Sequence, residues 1–135
     1  MIPEYFLQYC KTLLPTWRIL MTIIKKQAGP RMSQIVIHGE TVYLSGQVGE
    51  INTDITTQTQ SVLAKIEALL AEAGSSKEHL LSATIWLKTM DDFAAMNSVW
   101  DEWVKDIVPP ARACGESRLA HDSLLVEITI TAAIA

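Results

Sequence analysis

The stretch PPARACGES, residues 109–117, decides the fold together with the run LLVEITITAA at 124–133. In an extended strand, successive side chains point to opposite faces. Arg112, Cys114 and Glu116 therefore project together, while Ala111, Ala113 and Gly115 leave the other face nearly bare. In the second run Val126, Ile128 and Ile130 form an oily face, and Leu125, Glu127, Thr129 and Thr131 form a mostly polar one. Pro109 and Pro110 stop any preceding helix and launch the first of these strands. A charged row in so apolar a chain needs an explanation.

Working outward, QIVIH (34–38) and TVYLSG (41–46) are β-rich runs separated by the short turn Gly39–Glu40, which predicts a hairpin. Ile55, Val62, Leu63, Ile66, Leu69, Leu70 and Ala73 then recur at helical spacing on one stripe. Thr53 or Asp54 serves as the N-cap, and Gly74 stands where a C-cap glycine belongs. LLSATIWL (80–87) reads as a strand. DDFAAMNSVWDEWV (91–104) reads as a second helix, starting at Asp91 or Asp92, with Phe93, Met96, Trp100 and Trp103 near one face. The order is β-β-α-β-α-β-β, with TIIKK (22–26) a candidate extra strand. This mixture predicts an α+β fold with two helices on one face of a mixed sheet. The second sheet face, carrying polar residues among apolar ones, is a candidate for packing against another copy of the chain.

At 135 residues the chain is expected to form one domain. Hydrophobic residues make up 49% and charged residues 19%, a balance that argues against disorder. The net charge of −4 argues against non-specific binding of nucleic acid. Cys10 and Cys114 do not make a disulfide framework, so a cytoplasmic setting is the default. His38, His79 and His121 are scattered singly, and no metal site is expected. Residues 1–20, MIPEYFLQYCKTLLPTWRIL, differ from the rest. Pro3 and Pro15 interrupt the apolar pattern, which is too short and broken to span a bilayer and lacks the organisation of a secretion signal. Met21 opens MTIIKKQ, which reads like a natural start. Residues 1–20 are accordingly treated as an extension of a single domain over 21–135, a membrane-surface helix being the alternative.

If the two last strands form a hairpin through RLAHDS (118–123), Cys114 lies opposite Glu127 and Arg112 opposite Thr129. Arg112 and Glu127 would then border one site, although a one-residue slip would turn Glu127 away. Three readings are open. Arg112 and Glu127 form a structural pair in a packed interface; or Cys114 is a nucleophile activated by Arg112; or Arg112 grips a carboxylate with its planar fork while Glu127 holds a water. Asn97 falls on the apolar stripe of the second helix, and a buried amide there must find partners.

YLSGQVG, DFAAMNSVWDEW, PPARACGESRL and LLVEITITAAIA together resemble the RidA family, also called the YjgF family of reactive-intermediate deaminases. The resemblance runs from about Met21 to the C-terminus and rests most on the arginine-x-cysteine run with a glutamate fifteen residues after the arginine. It implies a chorismate-mutase-like fold assembled as a homotrimer, with sites in clefts between subunits and no cofactor. The implied reaction is hydrolysis of 2-imino acids or their enamine tautomers to 2-keto acids and ammonia. Arg112 matches the arginine that holds the substrate carboxylate, Cys114 the cysteine whose main chain lies beside the ligand, and Glu127 the glutamate that positions water. Gly46 and Asn97 match residues near the cleft. Arg31, in AGPRMSQ, stands where characterised members carry a tyrosine. Small-acid binding without turnover, and ribonuclease or translation-inhibitor activity, are the rival functions.

Overall fold

The computed structural model describes residues 22–135; the reading of residues 1–20 as an extension lies outside the described residues. Seven strands and two helices follow in the order β1 (Ile23–Ala28), β2 (Ser33–His38), β3 (Thr41–Leu44), β4 (Gln47–Val48), α1 (Ile55–Glu72), β5 (Leu80–Leu87), α2 (Phe93–Val104), β6 (Ala111–Glu116) and β7 (Val126–Ala133). TIIKK thus contributes a strand, paired antiparallel with β2. The strands form one mixed sheet in the order β1-β2-β3-β7-β5-β6, with β4 also pairing β7.

Local chemistry explains the helix limits. The Asp54 carboxylate accepts from the Thr57 backbone N–H at 2.7 Å, satisfying one of the donors that a helix start leaves open. That hydrogen bond holds the Asp54 carboxyl below its ordinary value of 3.8. At the other end Gly74 takes a φ of +78°, the left-handed turn-off that glycine adopts without steric penalty. The start of α2 is capped differently from expectation. Asp92 makes no side-chain cap bond there; Thr89 Oγ1 accepts from the Asp91 N–H ahead of a short 3-10 turn.

One face of the sheet packs on both helices. Ile35, Leu44, Ile85, Leu87, Ile128 and Ile130 meet Val62, Ile66, Leu70, Met96 and Trp100, all nearly or fully buried. The buried Gln58 ties α1 to the segment that leads into β7. Its Nε2 donates to the Ser123 carbonyl at 2.8 Å, and its Oε1 accepts from the Leu125 N–H at 2.8 Å. No helix among the described residues is long and apolar enough to cross a membrane.

The expected hairpin between the last two strands does not form. β6 pairs in parallel with β5, and β7 lies antiparallel on the other side of β5. The physical reason is the connection. The chain leaves β5, passes through α2 and returns in the same direction, as a parallel neighbour requires. The segment after β6 then carries β7 to the far side of β5, between β5 and β3.

Candidate functional site

Register fixes which side chains share a face. Ala83, Ile85 and Leu87 belong to the core, and their partners on β6 are Arg112, Cys114 and Glu116. The charged row therefore projects toward the helices, as a unit, with Ala111, Ala113 and Gly115 on the bare side. Glu127 is the partner of Trp86, on the open face of the sheet. Arg112 and Glu127 consequently lie on opposite faces, with β5 between their strands. Two strand spacings of about 4.8 Å separate β6 from β7. A single chain does not bring the arginine and the glutamate into one site.

Each half has its own architecture. On the helix side Arg112 Nη1 donates to Asn97 Oδ1 at 2.8 Å, and its guanidinium carbon lies 5.4 Å from the centroid of the Trp100 ring. Asn97 and Trp100 are three residues apart on α2, so one helical turn presents an acceptor and an aromatic face to the same guanidinium. Arg112 has no carboxylate of a described residue within ion-pair distance. The side-chain ion pairs among the described residues are Lys77–Glu67 and Lys105–Glu102. A guanidinium carries five donors, and one bond to an amide leaves a fork free. Glu116, farther along the row, accepts from the Met90 N–H at 3.0 Å and so pins the turn that starts α2. Cys114 is half-buried between them. Burial pushes its thiol above the usual value, and the nearby positive charge of Arg112 only partly opposes this. A raised value disfavours the thiolate, the form that attacks electrophiles.

On the open face Glu127 is packed against Gly46. A Cβ added at Gly46 would stand 2.1 Å from Glu127 Oε1, so only glycine leaves room for this carboxylate. Gly46 lies in a strap of polar residues. Gln34 Oε1 accepts from Ser45 Oγ at 2.8 Å and from Gln47 Nε2 at 2.8 Å. Trp86 flanks Glu127 on the neighbouring strand and is 40% exposed, an unusual setting for a residue whose burial is so favourable. Tyr43 and Ile23, on the same open face by register, are about half exposed as well. The sequence reading did not anticipate the Gln34–Ser45–Gln47 cluster or the place of Trp86. Alternation along LLSATIWL puts Trp86 opposite Ile85 and Leu87, and that was the available signal.

Together these features define a two-layer α+β protein whose polar residues sit in two clusters, one at a sheet edge under α2 and one on the uncovered sheet face. The chain belongs to the RidA/YjgF family: the family model described as Endoribonuclease L-PSP matches residues 25–134. It is 42% identical over 114 residues to a RutC family protein of Haemophilus influenzae, covering 83% of this chain and 98% of that one. It is 41% identical over 114 residues to the RutC family protein YoaB of Escherichia coli K12, covering 84% of this chain and 100% of that one. Among solved structures, NMB1025 of Neisseria meningitidis, described as a member of the YjgF protein family, superposes with a TM-score of 0.83 at 46% identity. That match covers 86% of this chain and 98% of the other.

Proposed function

We propose that this protein hydrolyses 2-imino acids, or the enamines in equilibrium with them, to 2-keto acids and ammonia, in sites assembled between copies of the chain. One observation carries the reading. In a chain of net charge −4, Arg112 stands at a sheet edge with no carboxylate partner among the described residues, steadied by Asn97 at 2.8 Å and by the Trp100 ring. A guanidinium held in this way suits a planar carboxylate, which it meets with two parallel hydrogen bonds.

The opposite faces support an assembly whose sites lie between copies. Arg112 belongs to β6, the last strand of the sheet, whose outer edge is unpaired among the described residues. Glu127 lies on a face that leaves Trp86, Tyr43 and Ile23 exposed. Unpaired strand edges and exposed apolar patches are the surfaces through which chains associate. In this reading the β6 edge of one copy packs against the open face of the next, so that the Arg112 of one meets the Glu127 of the other. The fold fits a closed ring of three, in which every copy donates one arginine and receives another.

The chemistry asks little of such a site. The substrate carboxylate on Arg112 fixes the adjacent C=N carbon, and Glu127 holds a water on the neighbouring side. Positioning turns a random encounter into a directed one. The water oxygen bonds to carbon, its protons pass by way of Glu127 to nitrogen, and the C–N bond breaks to release ammonia. Nothing is oxidised or reduced. The raised Cys114 value fits a part played through its main chain rather than through a thiolate. The acidic charge favours a small acid over RNA, although a related structure from Entamoeba histolytica is described as a putative endoribonuclease L-PSP.

The test is to generate 2-iminobutanoate in situ with a threonine dehydratase and follow 2-ketobutyrate release. Acceleration over buffer is expected, with loss in Arg112→Lys. Tight binding of 2-ketobutyrate without acceleration would instead identify a small-acid sensor.

A further inference from the structure

The loop between β1 and β2 borders an open surface cleft of about 620 Å³ that the deaminase reading leaves unused. Arg31, Gln34, Pro30 and Met32 are among its walls, and no acidic side chain lines it. Its position follows from the hydrogen bonds at its floor. The Ser45 N–H donates to the Gln34 carbonyl at 3.0 Å, and the Ser45 and Gln47 side chains both donate to Gln34 Oε1. Gly46 lies between those two residues and against Glu127. The cleft is therefore next to the Glu127 half of the candidate site.

Arg31 and the Gln34 amide bring side-chain donors to this cleft. Two bonds fill the lone pairs of Gln34 Oε1, and the Gln34 amide N–H groups have no partner among the described residues. Arg31 is exposed and makes no hydrogen bond or ion pair with any described residue. Gln27, at the mouth of the loop, is already committed, since its amide donates to Glu72. A cleft that offers a free guanidinium and a free amide, while the Glu72 carboxylate at its mouth is bonded to Gln27, suits an anion.

We propose that this cleft receives a second acid group, so that the substrates are imino acids with acidic side chains, the four- and five-carbon dicarboxylic imines. The inference rests on the deaminase reading for the reaction and on the cleft alone for the selectivity. Within one chain Arg31 cannot share a ligand with that chain's Arg112. β2 and β6 are four strand spacings apart, about 19 Å. Between copies the two arginines address opposite ends of one substrate. The neighbour's Arg112 takes the carboxylate beside the imine, and Arg31 takes the distal one. Water attack and loss of ammonia proceed as before.

The experiment has two arms. In the first, the imines of aspartate or glutamate and of norvaline are produced in situ by amino-acid oxidases, and kcat/KM is compared for the wild type and for Arg31→Ala and Arg31→Glu. In the second, binding of 2-oxoglutarate and of 2-oxobutanoate is measured by calorimetry on the same proteins. The wild type is expected to favour the diacid by about tenfold or more, the scale of one charge-assisted contact. Arg31→Ala should remove most of that preference, and Arg31→Glu should reverse it. Equal handling of mono- and diacids by the wild type, or a preference that survives both substitutions, overturns the subsite. If diacid binding is selective and Arg31-dependent but neither imine is hydrolysed faster than in buffer, the deaminase reading falls and the subsite stands. If both imines are hydrolysed without preference, the reverse holds.

Discussion

Gly46→Ala isolates the role of the Glu127 carboxylate better than any change to Glu127 itself. The added Cβ would stand 2.1 Å from Oε1, 3.0 Å from Cδ and 3.2 Å from Cγ. Ordinary contact begins near 3.4 Å, so the carboxylate oxygen must withdraw by 1.3 Å (3.4 − 2.1). The obstacle is the far end of a flexible side chain, and Gly46 does not have a positive φ, so the backbone accepts alanine. Moving Glu127 off its rotamer costs about 0.5–1.5 kcal/mol of stability. The expected effect on rate is far larger, because a misplacement of about 1 Å in a positioned group can cost 100-fold. Imine hydrolysis and thermal unfolding measured on the same preparation separate the two. A large loss of turnover with a nearly wild-type melt is predicted. Wild-type turnover in Gly46→Ala would refute the claim that Glu127 acts from the position it occupies. Gly49→Ala provides the contrast. A Cβ there meets the Gln58 Cα and carbonyl oxygen at 2.8 Å, and backbone cannot swing aside. That variant should lose about 1–3 kcal/mol in denaturant unfolding.

Asn97→Ala should lower kcat/KM by roughly tenfold to a hundredfold, since a hydrogen bond to a charged group contributes about 1.5–3 kcal/mol. Steady-state kinetics on a monocarboxylic imine checks this, and an unchanged value would show that Arg112 needs no orienting partner. Cys114 should alkylate with iodoacetamide more slowly at pH 8 than a free thiol, and its rate should still be climbing with pH beyond 9 where a free thiol's levels off, because its thiol is pushed above the ordinary value of 9.0. Peptide mass spectrometry distinguishes it from Cys10. Asp54→Ala should lower the unfolding temperature near neutral pH. The folded-state carboxyl of Asp54 is depressed, so the wild-type advantage is present above pH 3.8 and fades as pH falls through the lower folded value. Melting curves at pH 7 and pH 3 test the sign.

Much of this molecule can be read from its residues because alternation and helical spacing report on faces. The row Arg112, Cys114, Glu116 was expected to project together and does so. Val126, Ile128 and Ile130 form the oily face of β7, and the apolar stripe from Ile55 to Leu70 lies on α1, with Ala73 at its C-cap. What alternation cannot specify is the neighbour of a strand. A hairpin through residues 118–123 satisfied the pattern as well as the parallel pairing that formed, and it put Arg112 and Glu127 on one face. The decisive cue was the β5–α2–β6 order, which makes β6 a parallel neighbour of β5. The Arg112–Asn97 bond spans fifteen residues across two elements, and no periodicity within either one announces it. Gly46 is legible as a glycine but not as the space for a carboxylate, because that requirement comes from a residue eighty-one positions later.

The central claim is that Arg112 and Glu127 act across a seam between copies. Subunit mixing tests it most directly. Arg112→Ala and Glu127→Ala chains, each inactive alone, are unfolded together, refolded at equal concentration and assayed for imine hydrolysis. Random assembly with sites between copies restores both groups in about one site in four, so activity should return to roughly a quarter of the wild-type value. A mixture as inactive as either parent would mean that both groups act within one chain, or that neither acts at all.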